Sequence, residues 1–167
     1  MKKIIAQIVI ALVLVTIGGL GYLMYNKFAE AEKVRKRIAT LPQLELVSLL
    51  SNHTDSAKVQ PVIINYFNSK CQFCLSEIQS IQQHKNLRKE AKVLFISDES
   101  KRRLEVFSRS FGLDTSRVEV AWDSTGLVKK TFGVEQVPVT FVYRADRSLI
   151  KSFKGETKAE VLYELIK

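Results

Sequence analysis

The pattern of apolar and polar positions divides the chain into an apolar N-terminal segment and a longer part in which short apolar runs alternate with amphipathic ones. No charged residue occurs between Ile4 and Tyr25. A helix of that length would span about 33 Å, enough to cross the hydrocarbon core of a bilayer. The predicted parts are an N-terminal membrane anchor (1–25), a juxtamembrane helical stalk (26–41) that ends at Pro42, and one globular domain (42–167).

Within the domain, the order of the apolar runs predicts strand, helix, strand, helix and strand, followed by a helical turn, a β-hairpin and a last helix. The ranges are, in that order, 62–67, 74–87, 93–97, 101–111, 118–122, 125–132, 139–143 paired with 148–153, and 157–166. A βαβα half followed by ββα gives one central sheet that contains both parallel and antiparallel pairs, with helices packed on it. The domain is therefore predicted to be of the α/β class.

The apolar segment is also compatible with a cleaved signal peptide, because two lysines precede it and Ala29-Glu30-Ala31 resembles a cleavage site. We favour a retained anchor, since the apolar core is longer than the roughly 7–15 residues usual in signal peptides. The rule that positive charges stay inside would place the basic flank at 27–37 in the cytoplasm. The very short N-terminal tail is instead typical of a signal anchor. Partly because of a family resemblance described below, and against the charge rule, we expect a single-pass protein of the cell inner membrane with a periplasmic C-terminal domain.

The net charge of +9 would suit an anionic partner, either nucleic acid or a membrane surface. More than half of this charge lies in residues 1–41, where attraction to lipid head groups explains it. The densest basic run of the domain is Lys101-Arg102-Arg103, and no aromatic residues are interleaved with it. We therefore expect a membrane partner and no nucleic acid.

Cys71 and Cys74 are the only cysteines of the chain, and they stand between a predicted strand and a predicted helix. A C-x-x-C at such a junction is typical of thiol–disulfide redox chemistry. The positive end of the helix dipole favours a thiolate at Cys71, and Cys74 comes one turn later on the same face. Leu75 stands where covalent haem attachment requires His. The expected working group is the redox-active disulfide Cys71–Cys74, without another cofactor.

Three other roles for the cysteine pair are less favoured. A zinc site needs four ligands, and only His53 and His84 remain as obvious partners, with His84 nearly three turns down the predicted helix. The other two roles are a copper site that includes a distant His and an inert cysteine pair. A peroxidase arrangement Thr-x-x-Cys is absent, because Asn68 stands three residues before Cys71. We expect no metal.

Further motifs resemble the TlpA/ResA group of membrane-anchored thioredoxin-like proteins, and the similarity covers most of residues 42–167. Asn65 and the two aromatic residues after it resemble the group's Asn-Phe-Trp strand end. Glu77 matches its C-x-x-C-x-x-E pattern, and the segment 137–140 (VPVT) matches the one that holds a cis-proline against the disulfide. The segment 41–50 resembles the group's N-terminal hairpin.

This resemblance implies a thioredoxin fold, with a central mixed sheet flanked by helices and an inserted helix–strand segment, after one transmembrane helix. It also implies that Cys71 attacks a partner disulfide, that Cys74 resolves the mixed disulfide, and that Glu77 exchanges protons beside Cys74. The remaining implied residues are Val137, Pro138 and Phe73 in the substrate groove and Asn65 as a structural residue near the site.

We therefore predict a membrane-anchored, extracytoplasmic thiol–disulfide oxidoreductase that reduces or isomerises disulfides of partner proteins and receives electrons from a membrane donor. Proteins of the resembled group often keep apocytochrome thiols reduced during cytochrome c biogenesis. Lys70 and Phe73 replace the Trp and the Pro that are usual around the motif. Because of these two replacements, the alternative is a non-catalytic thioredoxin-like interaction module tethered to the membrane.

Overall fold

The computed structural model of the protein describes residues 2–43, 47–48 and 59–167. These residues divide into two compact units, of which the first ends at Lys36 and the second begins at Arg37. The first unit belongs to helix α1 (Lys2–Ile38), whose apolar side chains are exposed over the part from Leu12 to Phe28. Within the described residues, α1 is the one helix long and apolar enough to cross a membrane.

Helix α1 ends at Ile38, earlier than the Pro42 expected from the sequence. The reason is that the backbone after the helix bonds to the turn and strands of the second unit. The Ile38 carbonyl accepts a hydrogen bond from the hydroxyl of Tyr143 at 3.0 Å, and the N–H of Leu41 donates to the carbonyl of Arg147 at 2.8 Å. These partners replace the intrahelical ones, so the chain leaves the helix before the proline.

The second unit contains a six-stranded sheet and the remaining helices. Its elements are β1 (Val47–Ser48), β2 (Val62–Tyr66), α2 (Gln72–Gln83), α3 (Lys85–Glu90), β3 (Lys92–Ser97), α4 (Lys101–Ser110), β4 (Val118–Trp122), α5 (Leu127–Phe132), β5 (Val139–Tyr143), β6 (Leu149–Lys154) and α6 (Ala159–Ile166).

The strand order in the sheet is β1-β4-β3-β2-β5-β6. Strands β2, β3 and β4 are parallel neighbours, while β5 and β6 are antiparallel and β1 pairs antiparallel with β4. The parallel pairs come from the βαβ half of the chain and the antiparallel pairs from the hairpin. The predicted thioredoxin fold, with its mixed sheet, flanking helices and helix–strand insertion, is thereby confirmed.

Strand β2 lies in the middle of the sheet and all its residues are buried. Because side chains alternate between the faces of a strand, Ile63, Asn65 and Phe67 point to one face. Ile63 and Phe67 belong to the main apolar core together with Cys74 and Ile78 of α2. Asn65 therefore lies in a row of apolar side chains on the face that α2 covers, which places one polar group inside the core.

The single helix predicted over 74–87 is two helices, because the chain breaks at His84. His84 has a non-helical ψ of 88°, and its Nδ1 accepts a hydrogen bond from the N–H of Leu87 at 3.1 Å. It thus caps α3, as short polar side chains commonly do. His84 and Cys74 consequently do not share one continuous helix. His53 and half of the expected hairpin at 41–50 (residues 44–46 and 49–50) lie outside the described residues.

Candidate active site

The site begins where β2 ends and α2 starts, and Cys71 is the N-cap residue of α2. Its Sγ accepts a hydrogen bond from the N–H of Cys74 at 3.3 Å. A sulfur in this position faces the unsatisfied N–H groups and the positive end of the helix dipole. Cys71 is partly exposed and Cys74 is buried, and both are free thiols. The predicted placement of the pair at the helix N-terminus is thus what the structure shows.

The loop before Cys71 is held by Glu99, a residue that no sequence motif singled out. The N–H and the hydroxyl of Ser69 donate to the Glu99 carboxylate at 2.6 and 2.9 Å. Arg103 lies 3.5 Å from the same carboxylate. The sequence carries no signal for Glu99, since the contact joins two loops that are adjacent only because β2 and β3 are parallel neighbours.

Burial raises the pKa of the Cys74 thiol to about 12, and its hydrogen bond with Cys71 and the charge of Glu77 act in the same direction. At neutral pH, Cys74 is therefore a thiol that needs a base before it can attack a disulfide. The two cysteines are in this way unequal. The exposed one is accessible to a partner, and the buried one is kept protonated.

Glu77 lies one turn after Cys74 on α2 and is completely buried. Burial raises the pKa of its carboxyl from the ordinary 4.5 to about 7, against the opposing effect of a hydrogen bond from Thr140. The Thr140 hydroxyl donates to Oε1 of Glu77 at 2.6 Å and accepts from Nδ2 of Asn65 at 2.8 Å. Of the two positions considered for Glu77, solvated or beside Cys74, the structure shows the buried one.

The segment predicted to form the substrate groove lies against Cys71. The Val137–Pro138 peptide bond is cis, as expected from the motif, and the Val137 carbonyl lies 3.9 Å from Sγ of Cys71. Pro138 is buried and Val137 is partly exposed. Phe73, on the first turn of α2, is 66% exposed. An extended segment of a partner protein could thus reach Cys71, where it would meet the Phe73 ring and the Val137 carbonyl.

Thr140 is the site residue whose role the sequence did not reveal. The motif VPVT indicates the cis-proline and assigns no role to its threonine. The available signal is a threonine among the otherwise aliphatic and aromatic residues of strand β5. In the sheet, Thr140 stands directly opposite Asn65, so that both side chains project to the face covered by α2.

A dithiol at a helix N-terminus, a buried carboxylate behind it and a cis-proline beside it, all on a thioredoxin fold, together define the class of thiol–disulfide redox proteins. In the part of the chain that the structure describes, no cluster of three or more His, Cys, Asp or Glu could hold a metal ion. The two sulfurs offer thiol–disulfide exchange.

Comparison with known proteins supports this class. The profile of the AhpC/TSA family matches residues 40–152, more than half of the chain, and the chain belongs to that family. It is 25% identical over 171 residues to the thiol–disulfide oxidoreductase ResA of Bacillus thuringiensis subsp. konkukian, covering 99% of this chain and 96% of the relative. The ResA of Bacillus cereus matches equally well.

Solved structures show the same fold. The crystal structure of StoA from Bacillus subtilis aligns with a TM-score of 0.60 at 18% identity, over 75% of this chain and all of StoA (100%). A secreted thiol–disulfide isomerase from Corynebacterium glutamicum aligns with a TM-score of 0.64 at 23% identity, over 75% and 82% of the two chains. The names of the two ResA relatives support an oxidoreductase role, and the resemblance to ResA-like proteins expected from the sequence is confirmed.

Proposed function

We propose that the protein is a membrane-anchored thiol–disulfide oxidoreductase that acts outside the cytoplasm and reduces or isomerises disulfides in partner proteins. The observation that carries the proposal is the inequality of the two sulfurs. Cys71 is accessible at the helix N-terminus and lies 3.9 Å from the Val137 carbonyl, whereas Cys74 is buried beneath it. This is the arrangement needed for one attacking and one resolving thiol.

The reaction proceeds in two displacements. The Cys71 thiolate attacks one sulfur of the partner disulfide, a mixed disulfide forms, and the other partner sulfur leaves as a thiolate. The Cys74 thiol then gives its proton to the Glu77 carboxylate and attacks Sγ of Cys71. The second partner sulfur leaves, and the protein holds the Cys71–Cys74 disulfide. The partner gains two electrons, which a membrane electron donor must return to the protein.

Helix α1 and the ResA relatives support the location in this proposal. The long apolar helix α1 can hold the domain at a membrane. Disulfide exchange is also favoured in oxidising compartments such as the periplasm. We infer a single-pass inner-membrane protein with a periplasmic domain, which reduces apocytochrome disulfides to thiols during cytochrome c biogenesis.

Trapping of substrates tests the catalytic part. Cys74→Ser should leave Cys71 to form mixed disulfides that persist and that a reductant releases. Cys71→Ser with Cys74 intact is the matched control and should trap nothing, because Cys74 is buried. If Cys74→Ser forms no adducts in cells, the non-catalytic interaction module becomes the better description.

Topology needs a separate experiment. A membrane-impermeant thiol reagent applied to intact spheroplasts should label Cys71 of the full chain. Labelling that occurs only after lysis would place the domain in the cytoplasm and overturn the extracytoplasmic assignment. Cys71→Ser controls for the reagent, because Cys74 is the only other cysteine and is buried.

A further inference from the structure

The buried hydrogen-bond chain Asn65–Thr140–Glu77 has a direction. Nδ2 of Asn65 can only donate, and it donates to Oγ1 of Thr140 at 2.8 Å. The Thr140 hydroxyl has one proton, and this proton is directed at Oε1 of Glu77, 2.6 Å away. All three residues are completely buried. Water therefore does not compete for these bonds, and the chain fixes which atom of the carboxyl accepts.

The other oxygen of Glu77 is in a different situation. Oε2 is buried and has no hydrogen-bond partner of good geometry among the described residues, although the backbone N–H of Thr157 is near the carboxyl and favours its ionisation. A carboxyl in its acid form carries its proton on one oxygen only, and a proton on Oε1 would face the hydroxyl proton of Thr140. The two oxygens are thus distinguished before any proton moves.

We propose that Asn65 and Thr140 are positioning residues that keep Oε1 of Glu77 an acceptor, so that Oε2 is the atom that receives the proton of Cys74. The inference rests on the proposed function, because it concerns the second displacement. In that step the S–H bond of Cys74 breaks and its proton bonds to Oε2. The electron pair left on Sγ of Cys74 forms the new bond to Sγ of Cys71, and the partner sulfur leaves with the electrons of the old one.

The groups around the carboxyl fit this division of roles. Cys74 approaches Glu77 from the preceding turn of the same helix, and the charge of Glu77 acts on the Cys74 thiol. Glu156, on the segment before α6, is the carboxylate whose charge opposes ionisation of Glu77. The Thr140 bond favours ionisation. Removal of the hydroxyl should therefore make Glu77 a base only at higher pH.

The test measures the resolving step as a function of pH in the full chain in detergent micelles. Ellman's reagent converts Cys71 into a mixed disulfide with thionitrobenzoate, and attack by Cys74 releases a second equivalent, which stopped-flow absorbance records. In the wild type we expect the rate to rise through a limb near pH 7. Thr140→Val keeps the volume and removes the hydroxyl, and it should move this limb to higher pH by about one unit, a tenfold loss of rate below the limb.

Two further variants define the cause, and a third is the control. Thr140→Ser restores the hydroxyl and should restore the wild-type profile. Asn65→Ala frees the Thr140 hydroxyl to rotate and should move the limb in the same direction, by a smaller amount. This variant also tests the positioning role if Thr140→Val does not fold. Ser108→Ala removes a buried hydroxyl that donates only to its own helix at 2.8 Å, and it should change nothing.

The outcomes separate the two proposals. If Glu77→Gln removes the limb while Thr140→Val and Asn65→Ala keep the wild-type profile, the positioning role is wrong and the proposed function stands. If the wild type releases no second equivalent, or Glu77→Gln keeps the wild-type profile, both the positioning role and the use of Glu77 as the base are wrong.

Discussion

Glu77 holds its carboxyl where water does not reach it, and the consequence is a link between stability and pH. Its pKa is about 7 in the folded protein, against an ordinary 4.5. Between these values the folded protein holds a proton that the unfolded chain has lost. The folded state is therefore favoured at low pH, and the free energy of unfolding falls as the pH rises from about 4.5 to about 7.

We expect Glu77→Gln to be more stable than the wild type at pH 8, by about 1–3 kcal/mol, because the amide stays neutral in the core. The difference should shrink towards zero near pH 4.5, where the wild-type carboxyl is largely protonated in the folded state and half protonated in the unfolded one. Urea unfolding followed by the fluorescence of Trp122, the single tryptophan, measures it. Glu160→Gln, on the exposed face of α6, is the control and should keep the wild-type slope. Parallel pH profiles for Glu77→Gln and wild type would contradict the prediction.

The effect of Phe73 on the reaction rate can be separated from its effect on stability. Its ring is 66% exposed, so Phe73→Ala should change the free energy of unfolding by no more than about 0.5 kcal/mol. A ring buried against a partner contributes about 1–2 kcal/mol, and the rate with a protein disulfide should fall roughly 5- to 30-fold. The rate with Ellman's reagent should not change. These two second-order rates are the measurement.

The matched control for Phe73 is Val106→Ala, which truncates an exposed apolar residue of α4. It should leave both rates unchanged. A loss of equal size with the protein disulfide and with the small one would mean that Phe73 acts on Cys71 itself, and the groove role would be wrong.

At the scale of elements, the apolar runs predicted most strands to within a residue or two, because central strands must be buried on both faces. Strand β2 is an example, since its prediction over 62–67 differs from the observed Val62–Tyr66 only at the last residue. The break between α2 and α3 was missed because the apolar spacing continues through it, with Leu87 packed in the same core as Ile81. Periodicity reports which side chains are buried, and it does not report a change of backbone direction between them.

In the candidate site, too, the local features were predictable from the sequence and the long-range contacts were not. The spacing of the cysteines and Glu77 along one helix is local, and it was predictable from the sequence. The contact between Asn65 and Thr140 depends on the register of β2 against β5, which pairs residues far apart in the chain. Without the register, a threonine in an apolar strand indicates no partner.

The cap at the start of α3 gives an element-scale prediction. His84→Ala removes the acceptor for the Leu87 N–H and should reduce the free energy of unfolding by about 1 kcal/mol. His84→Asn keeps an acceptor at the same position and loses only the ring packed against Tyr163, at 4.9 Å between centroids. Urea unfolding of the two variants separates the contribution of the capping hydrogen bond to the free energy of unfolding from that of the ring contact. Equal losses for Ala and Asn would assign the whole effect to the ring.

For the whole molecule, the chemistry of the site and the anchor are encoded in separate parts of the chain. The compact unit from Arg37 contains every group that the proposed reaction uses. The unit that ends at Lys36 contains exposed apolar residues and then charged ones, which pair within the helix, as Lys33 does with Glu30 at 2.7 Å. Exposed apolar side chains along a helix are stable only where lipid or another protein covers them. In the proposed function, α1 determines where the dithiol acts, and the unit from Arg37 supplies its chemistry.

The membrane-anchor prediction can be tested with the full chain in its own cells. A retained helix should keep the protein in membranes washed with alkaline carbonate, and the purified protein should have the mass of the whole sequence, 19.0 kDa. Leu14→Lys together with Val15→Lys places two charges at the middle of the apolar segment, each costing about 2.5–3.5 kcal/mol at a bilayer centre. This variant should be lost from the washed membranes. A control with Lys33→Ala and Lys36→Ala, which alters charge only in the stalk, should remain there. A shortened protein in the soluble fraction, beginning after Ala31, would show instead that the segment is a cleaved signal peptide.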